Sequence, residues 1–202
     1  MTTSAKIYTI GYATKALDNF IQQLKRYRID VVADVRSVPY SKVFHDYHRE
    51  AIQGALKQHG IRYVYLGDEL GPRSKEPSHY DDSGQVQFDR LMQAPLFKDG
   101  IERLFNGLDK GFSIALMCAE KDPATCHRSL LIGYFLEHYQ DAKKLEILHI
   151  DHFGELEQQD QLEQRLCQHH GIEMDLFMSA EERQQQAYQL QLKQTSYRKP
   201  VE

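Results

Sequence analysis

Short apolar, β-rich runs recur along this chain with an amphipathic segment after nearly every one, and no other feature constrains the fold as much. "KIYTIGY" (6–12) reads as a strand and is followed by "TKALDNFIQQLKRY", in which Leu17, Phe20, Ile21 and Leu24 recur at helical spacing. "DVVADVR" (30–36) predicts a second strand, and 48–59 a helix with Ile52, Ala55 and Leu56 on one face before Gly60 stops it. "IRYVYLG" (61–67), "FSIALMCA" (112–119) and "LEILHI" (145–150) predict strands three to five. Between the third and fourth, Phe88, Leu91 and Met92 mark one helical stretch; Phe97, Ile101, Leu104, Phe105 and Leu108 mark another after the break at Pro95. "CHRSLLIGYFLEHY" predicts a largely buried helix, with Asp122 and Pro123, or else Thr125, available to cap its first turn. Strands joined through helices by short connections call for parallel neighbours and right-handed crossovers. The expected fold is α/β: a single domain built on an open parallel sheet of about five strands with helices on both faces, plus polar C-terminal helices.

The length of 202 residues suits one domain with a substantial core. Residues 1–152 are expected to form the α/β domain. Residues 153–202 turn Gln-rich and polar and predict two peripheral helices with a fraying tail, Ser179 and Glu182 making a capping box for the second helix. The loop "DELGPRSKEPSHYDDSGQ" is long for a compact domain, which points to a functional role. No apolar run is long enough to cross a bilayer, and three cysteines (Cys118, Cys126, Cys167) cannot all pair within one chain. Free thiols in a reducing compartment follow, so the chain is expected to be cytoplasmic with no membrane association. The net charge of −4 argues against a surface given over entirely to polyanions, although a local basic patch is compatible with it. The oligomeric state is left open.

In an open parallel sheet, ligands bind beyond the carboxyl ends of the strands. Those ends carry Gly11 and Tyr12, then Asp34, Arg36 and Ser37, then Asp68, Glu69, Gly71 and Arg73, then Cys118 and Glu120 with Cys126, His127 and Arg128 following, and finally His149. Each alone could be a cap or a solvated loop residue; together they predict a crevice. Cys126, in the first turn of a helix and close to Arg128, has the setting of a thiolate. Cys126, Cys118, His127, Asp34 and Glu120 are therefore the expected catalytic groups. Gly11, Tyr12, Arg36, Ser37, Glu69, Arg73 and Arg128 are the expected substrate-binding groups. Asp34 and Arg36 share one strand face and either pair internally or orient substrate. Arg128 either clamps a phosphate or carboxylate or pairs with Asp34 or Glu120. His127 neighbours Cys126 but points about 100° away on a helix, so it is not automatically that thiol's base.

The expected partner is an anionic small molecule or a nucleic acid. The alternative to an enzyme is a nucleic-acid-binding module without catalysis, in which the basic loops 36–49 and 71–75 hold a strand and Tyr40, Phe44, Tyr47 and Tyr80 stack bases. Cys118, Cys126 and His127, joined by His149, could ligate a metal, but seven residues separate the two cysteines and there is no CxxC. No metal and no cofactor are expected.

The blocks "TIGYA", "DVRSVPYSK", "YLGDELGPR" and "LMCAEKDPATCHR" together resemble the family known as domain of unknown function 488, over roughly residues 6–150. The matching positions include Gly11, Asp34, Arg36, Ser37 and Pro39, then Leu70, Gly71 and Arg73, and Cys118, Glu120, Cys126, His127 and Arg128 in the most distinctive block. Where family members commonly have Gly-Gly-Arg, this chain has Gly71, Pro72 and Arg73. The resemblance implies a fold and a site but no reaction. A looser similarity links Cys118 and Arg128 to the cysteine loops of sulfurtransferases and cysteine phosphatases, although nine residues lie between them here, more than in those compact loops.

Overall fold

A computed structural model describes residues 5–139, 145–173 and 177–200. Six strands form one sheet in the order β3-β2-β4-β1-β5-β6. They are β1 (Ala5–Gly11), β2 (Val31–Asp34), β3 (Arg62–Tyr65), β4 (Ile114–Cys118), β5 (Leu145–Ile150) and β6 (Leu156–Gln158). The first five run parallel; β6 pairs antiparallel with β5, Ile150 opposite Leu156. This last strand raises the expected count by one. It arises from the polar stretch before Gln159, where no apolar alternation announces it, and three residues of pairing to β5 are enough to place it on the edge.

Side chains alternate across the sheet, so each strand feeds two cores. On one face lie α1 (Leu17–Arg26) and α2 (Arg49–Gln58), where Phe20, Ile21, Leu24, Ile52 and Leu56 pack on Ile10, Val32, Ala115 and Met117. Asp18 in the first turn of α1 and Lys25 and Arg26 in its last turn complement the helix dipole. α2 ends where Gly60 takes a φ of +74°, as its sequence position suggests. The opposite face is covered by α4 (Phe88–Gln93), α5 (Pro95–Asp109), α6 (Tyr134–His138), α7 (Gln159–His169) and α8 (Ala180–Thr195), numbered after the short α3 (Gly67–Leu70). A π-helical turn, Arg128–Gly133, leads directly into α6.

Both C-terminal helices grip the segment between β4 and α6. Arg165 of α7 forms an ion pair with Asp122 at 2.9 Å, and from α8 Gln191 donates to the Ala124 carbonyl at 2.6 Å and Tyr188 to the Leu130 carbonyl at 2.7 Å. Tyr188 also stacks on Tyr134 with centroids 3.8 Å apart. The Ser179–Glu182 capping box forms as expected. The tail expected to fray is instead pinned: Val86 donates to the Tyr197 carbonyl and Lys199 to that of Gly84, each at 2.9 Å. The same contacts order the long loop after β3, which holds α3 and a short helical turn at Pro77–His79. No helix among the described residues is long and apolar enough to cross a membrane.

Candidate active site

β4 lies between β1 and β2, and its last residue, Cys118, is buried at the carboxyl edge of the sheet. The chain then turns through Glu120 to Asp122, whose carboxylate accepts from the Ala124 N–H and caps the turn Pro123–Thr125. Cys126 follows in extended conformation and His127 begins the π turn. The cap at Asp122 therefore serves the short turn rather than the long helix. This fold-back brings Cys126 and His127 to the end of β4 despite the seven intervening residues.

Four side chains converge as a result. Both sulfurs, of Cys118 and Cys126, lie 2.9 Å from the same oxygen of Glu120, Oε2. Nδ1 of His127 lies 3.6 Å from the Cys118 sulfur and 3.9 Å from that of Cys126. The other ring nitrogen, Nε2, is 2.8 Å from the Val35 carbonyl, an acceptor only, so it carries a proton while Nδ1 faces the sulfurs. The Arg128 N–H donates to the Cys126 sulfur at 3.5 Å.

Charge is distributed unevenly over this cluster. Burial alone would push the Cys126 thiol up, but the Cys118 S–H, the Arg128 guanidinium and the His127 ring outweigh it and hold Cys126 well below an ordinary thiol. Burial pushes Cys118 well up, reinforced by Cys126 and Glu120. Glu120 is also raised, by burial of its carboxylate and by the Cys126 charge, although the residue as a whole is exposed. Burial works to lower His127, yet Cys126 and Glu120 raise it overall.

A cleft of about 460 Å³ opens above the cluster, and Cys118, Glu120 and His127 line its floor while Cys126 lies behind them. Tyr12, Arg36, Ser37 and Arg73, all sequence candidates, form its walls together with Tyr40. Arg36 is buried and held by Asp34 through Nε at 2.8 Å and Nη2 at 2.6 Å, while its Nη1 donates to the Tyr12 hydroxyl at 3.2 Å. Tyr63 donates to the same Asp34 carboxylate at 2.7 Å. Burial would lower the Arg36 pKa, but the paired Asp34 raises it, so the guanidinium stays charged. The Ser37 hydroxyl accepts from the Arg73 N–H at 3.0 Å and ties the two wall loops together. The exposed Arg73 guanidinium lies over the Tyr197 ring, 4.7 Å from its centroid.

Several candidates sit elsewhere. Arg128 has no exposed surface and donates to the Glu120 carbonyl at 2.7 Å, the Thr9 hydroxyl at 3.2 Å and the Lys121 carbonyl at 3.4 Å. It pairs with neither Asp34 nor the Glu120 carboxylate. Gly11 lies against the Glu120 backbone, and a Cβ there would come within 1.9 Å of that carbonyl oxygen. Glu69 forms an ion pair with Arg103 of α5 and is not among the cleft's lining residues. His149 lies apart, fully buried between the Thr9 hydroxyl and Gln159, 2.8 Å from each. Of the four aromatics considered for base stacking, Tyr47 and Tyr80 are core residues, Phe44 is half-buried, and Tyr40 is exposed. Tyr47 packs inward because its ring stacks on Tyr12 at 4.3 Å. Thr195 and Tyr197 also line the cleft, and nothing in the Gln-rich C-terminal sequence points to them.

No curated protein matches the chain. Among solved structures, a protein of Shewanella putrefaciens CN-32 described as "Putative phosphatase (DUF442)" is similar over 98% of this chain and 92% of its own, with 13% identity and a TM-score of 0.38. That likeness is too distant to bear on fold or chemistry. The model of the family described as "Domain of unknown function DUF488" matches residues 16–135, more than half of the chain, and the protein belongs to that family.

Proposed function

We propose that the protein is an enzyme that binds a phosphate-bearing anion in the cleft at the strand ends and acts on it at the floor formed by Cys118, Glu120 and His127. One observation carries this reading: two arginines and a cluster of reactive side chains line the same cavity. Arg36 is positioned by Asp34 and Tyr12, so its charge is fixed before a ligand arrives, and a preorganised guanidinium suits a phosphate or carboxylate. Arg73 supplies the second, exposed charge at the rim. Cys118 is the thiol that lines the cleft; Cys126, outside the lining, is the thiol held below its ordinary pKa by the Cys118 S–H, the Arg128 guanidinium and the His127 ring. Calorimetric titration with inorganic phosphate, a nucleoside monophosphate and a short single-stranded oligonucleotide tests the reading. Binding of at least one, weakened tenfold or more by Arg73→Ala (about 1.4 kcal/mol) and falling with salt, is expected. Failure of all three to bind the intact protein would overturn it.

A further inference from the structure

Resting on that reading of the cleft, we infer that Cys118, Cys126, His127 and Glu120 form a binding site for a divalent ion of the zinc class on the cleft floor. One ligand atom from each lies within 4.8 Å of the other three. A tetrahedral zinc site with its usual bond lengths has edges of about 3.3–3.8 Å. The distances here, 2.9 Å from each sulfur to Oε2 and 3.6 and 3.9 Å from each sulfur to Nδ1, bracket that range, so small side-chain shifts suffice.

The donor types narrow the ion. Two sulfurs and an imidazole nitrogen suit zinc and its neighbours and disfavour magnesium or calcium. The surroundings match what a ligating histidine needs, since Nε2–H is already committed to the Val35 carbonyl at 2.8 Å, leaving Nδ1 free for the ion. The Arg128 N–H on the Cys126 sulfur steadies a second ligand in the same way.

The four ligands are not equivalent. Cys118, Cys126 and His127 are buried, whereas Glu120 is an exposed residue lining the cleft. Three fixed ligands and one that an incoming anion or water can displace is the pattern of catalytic rather than structural zinc. Loading forms two metal–sulfur bonds and releases any remaining thiol protons to solvent, with no change of oxidation state.

Elemental analysis of protein purified without chelator, followed by cobalt(II) titration of chelator-treated protein, tests the site. The expected result is about one equivalent of zinc per chain and, after exchange, the sulfur-to-cobalt charge-transfer and intense d–d absorption of a four-coordinate thiolate site. Cys126→Ser should abolish that spectrum, while Glu120→Gln should keep the charge-transfer band and alter the d–d bands. Should the cysteine variant fail to fold, thiol counting on the unaltered protein decides. The half-buried Cys167 serves as internal reference and should react with or without metal. Cys118 and Cys126 should become more reactive once the metal is removed. A folded protein that takes up neither zinc nor cobalt, with thiol reactivity indifferent to chelator, would refute the site. Phosphate binding that depends on Arg73 in such a metal-free protein would sink the metal alone, whereas bound metal without any anion binding would sink the anion reading alone.

Discussion

Arg128 donates to the backbone carbonyl of Glu120 at 2.7 Å from a position with no solvent exposure, so the turn that presents the cluster's carboxylate is anchored by a buried charge from the next helical segment. The same guanidinium reaches the Thr9 hydroxyl, which in turn bonds His149. From His149 the chain of hydrogen bonds runs through Gln159 to Glu163 and His138. A polar network thus crosses the core from the candidate site to α7.

Replacing Arg128 by lysine keeps the charge but loses the fork that reaches Thr9, Glu120 and Lys121 together. Arg128→Lys is expected to destabilise the fold by about 1–3 kcal/mol, read from the midpoint of urea unfolding at unchanged slope.

Asp34→Asn removes the partner of a guanidinium that stays buried, which leaves an uncompensated charge. The expected loss is about 3–5 kcal/mol, measured by denaturant titration. A loss below about 1 kcal/mol, the range of exposed pairs, would mean that Arg36 finds water or another acceptor without Asp34.

His149 should make the protein acid-labile. Its pKa falls to about 3 because it is fully buried, with the Arg128 charge a further cause. The unfolded chain therefore takes up a proton below about pH 6.5 that the folded chain refuses until about pH 3. Stability contributed by the neutral ring is complete above pH 6.5 and is lost as pH falls toward 3, up to on the order of 5 kcal/mol. His149→Gln, which has no titrating ring, should flatten the stability–pH curve over that interval; equal slopes for both proteins would contradict the assignment.

At Gly11 the constraint is space. A methyl group there meets the Glu120 carbonyl at 1.9 Å, backbone against backbone, so the β1 end and the Glu120 turn have to part. Gly11→Ala is expected to cost about 1–3 kcal/mol, seen as a lower thermal midpoint. It should also weaken any phosphate binding, since the floor of the cleft shifts with the turn.

Periodicity and capping were enough to locate most elements. LEILHI alone marks β5 over Leu145–Ile150, Ser179 and Glu182 mark the start of α8, and the alternation of strands with helices marks a parallel sheet covered on both faces. These signals are local: a strand or helix needs its own hydrophobic spacing and its own terminal hydrogen bonds. Most residues of the candidate site were also legible, because strand ends in such a sheet point to one edge. What each side chain does there was decided by tertiary structure. Glu120 rather than His149 joins the two cysteines and His127, because the turn capped by Asp122 folds back over β4 while a buried network holds His149. Arg128 faces inward and Arg73 outward, although both read as arginines near a strand end. Tyr197 reaches the cleft from the far end of the sequence because the tail pairs with the loop at Gly84–Val86. Such convergence depends on strand order and on the path of connecting loops, neither of which leaves a period in the sequence.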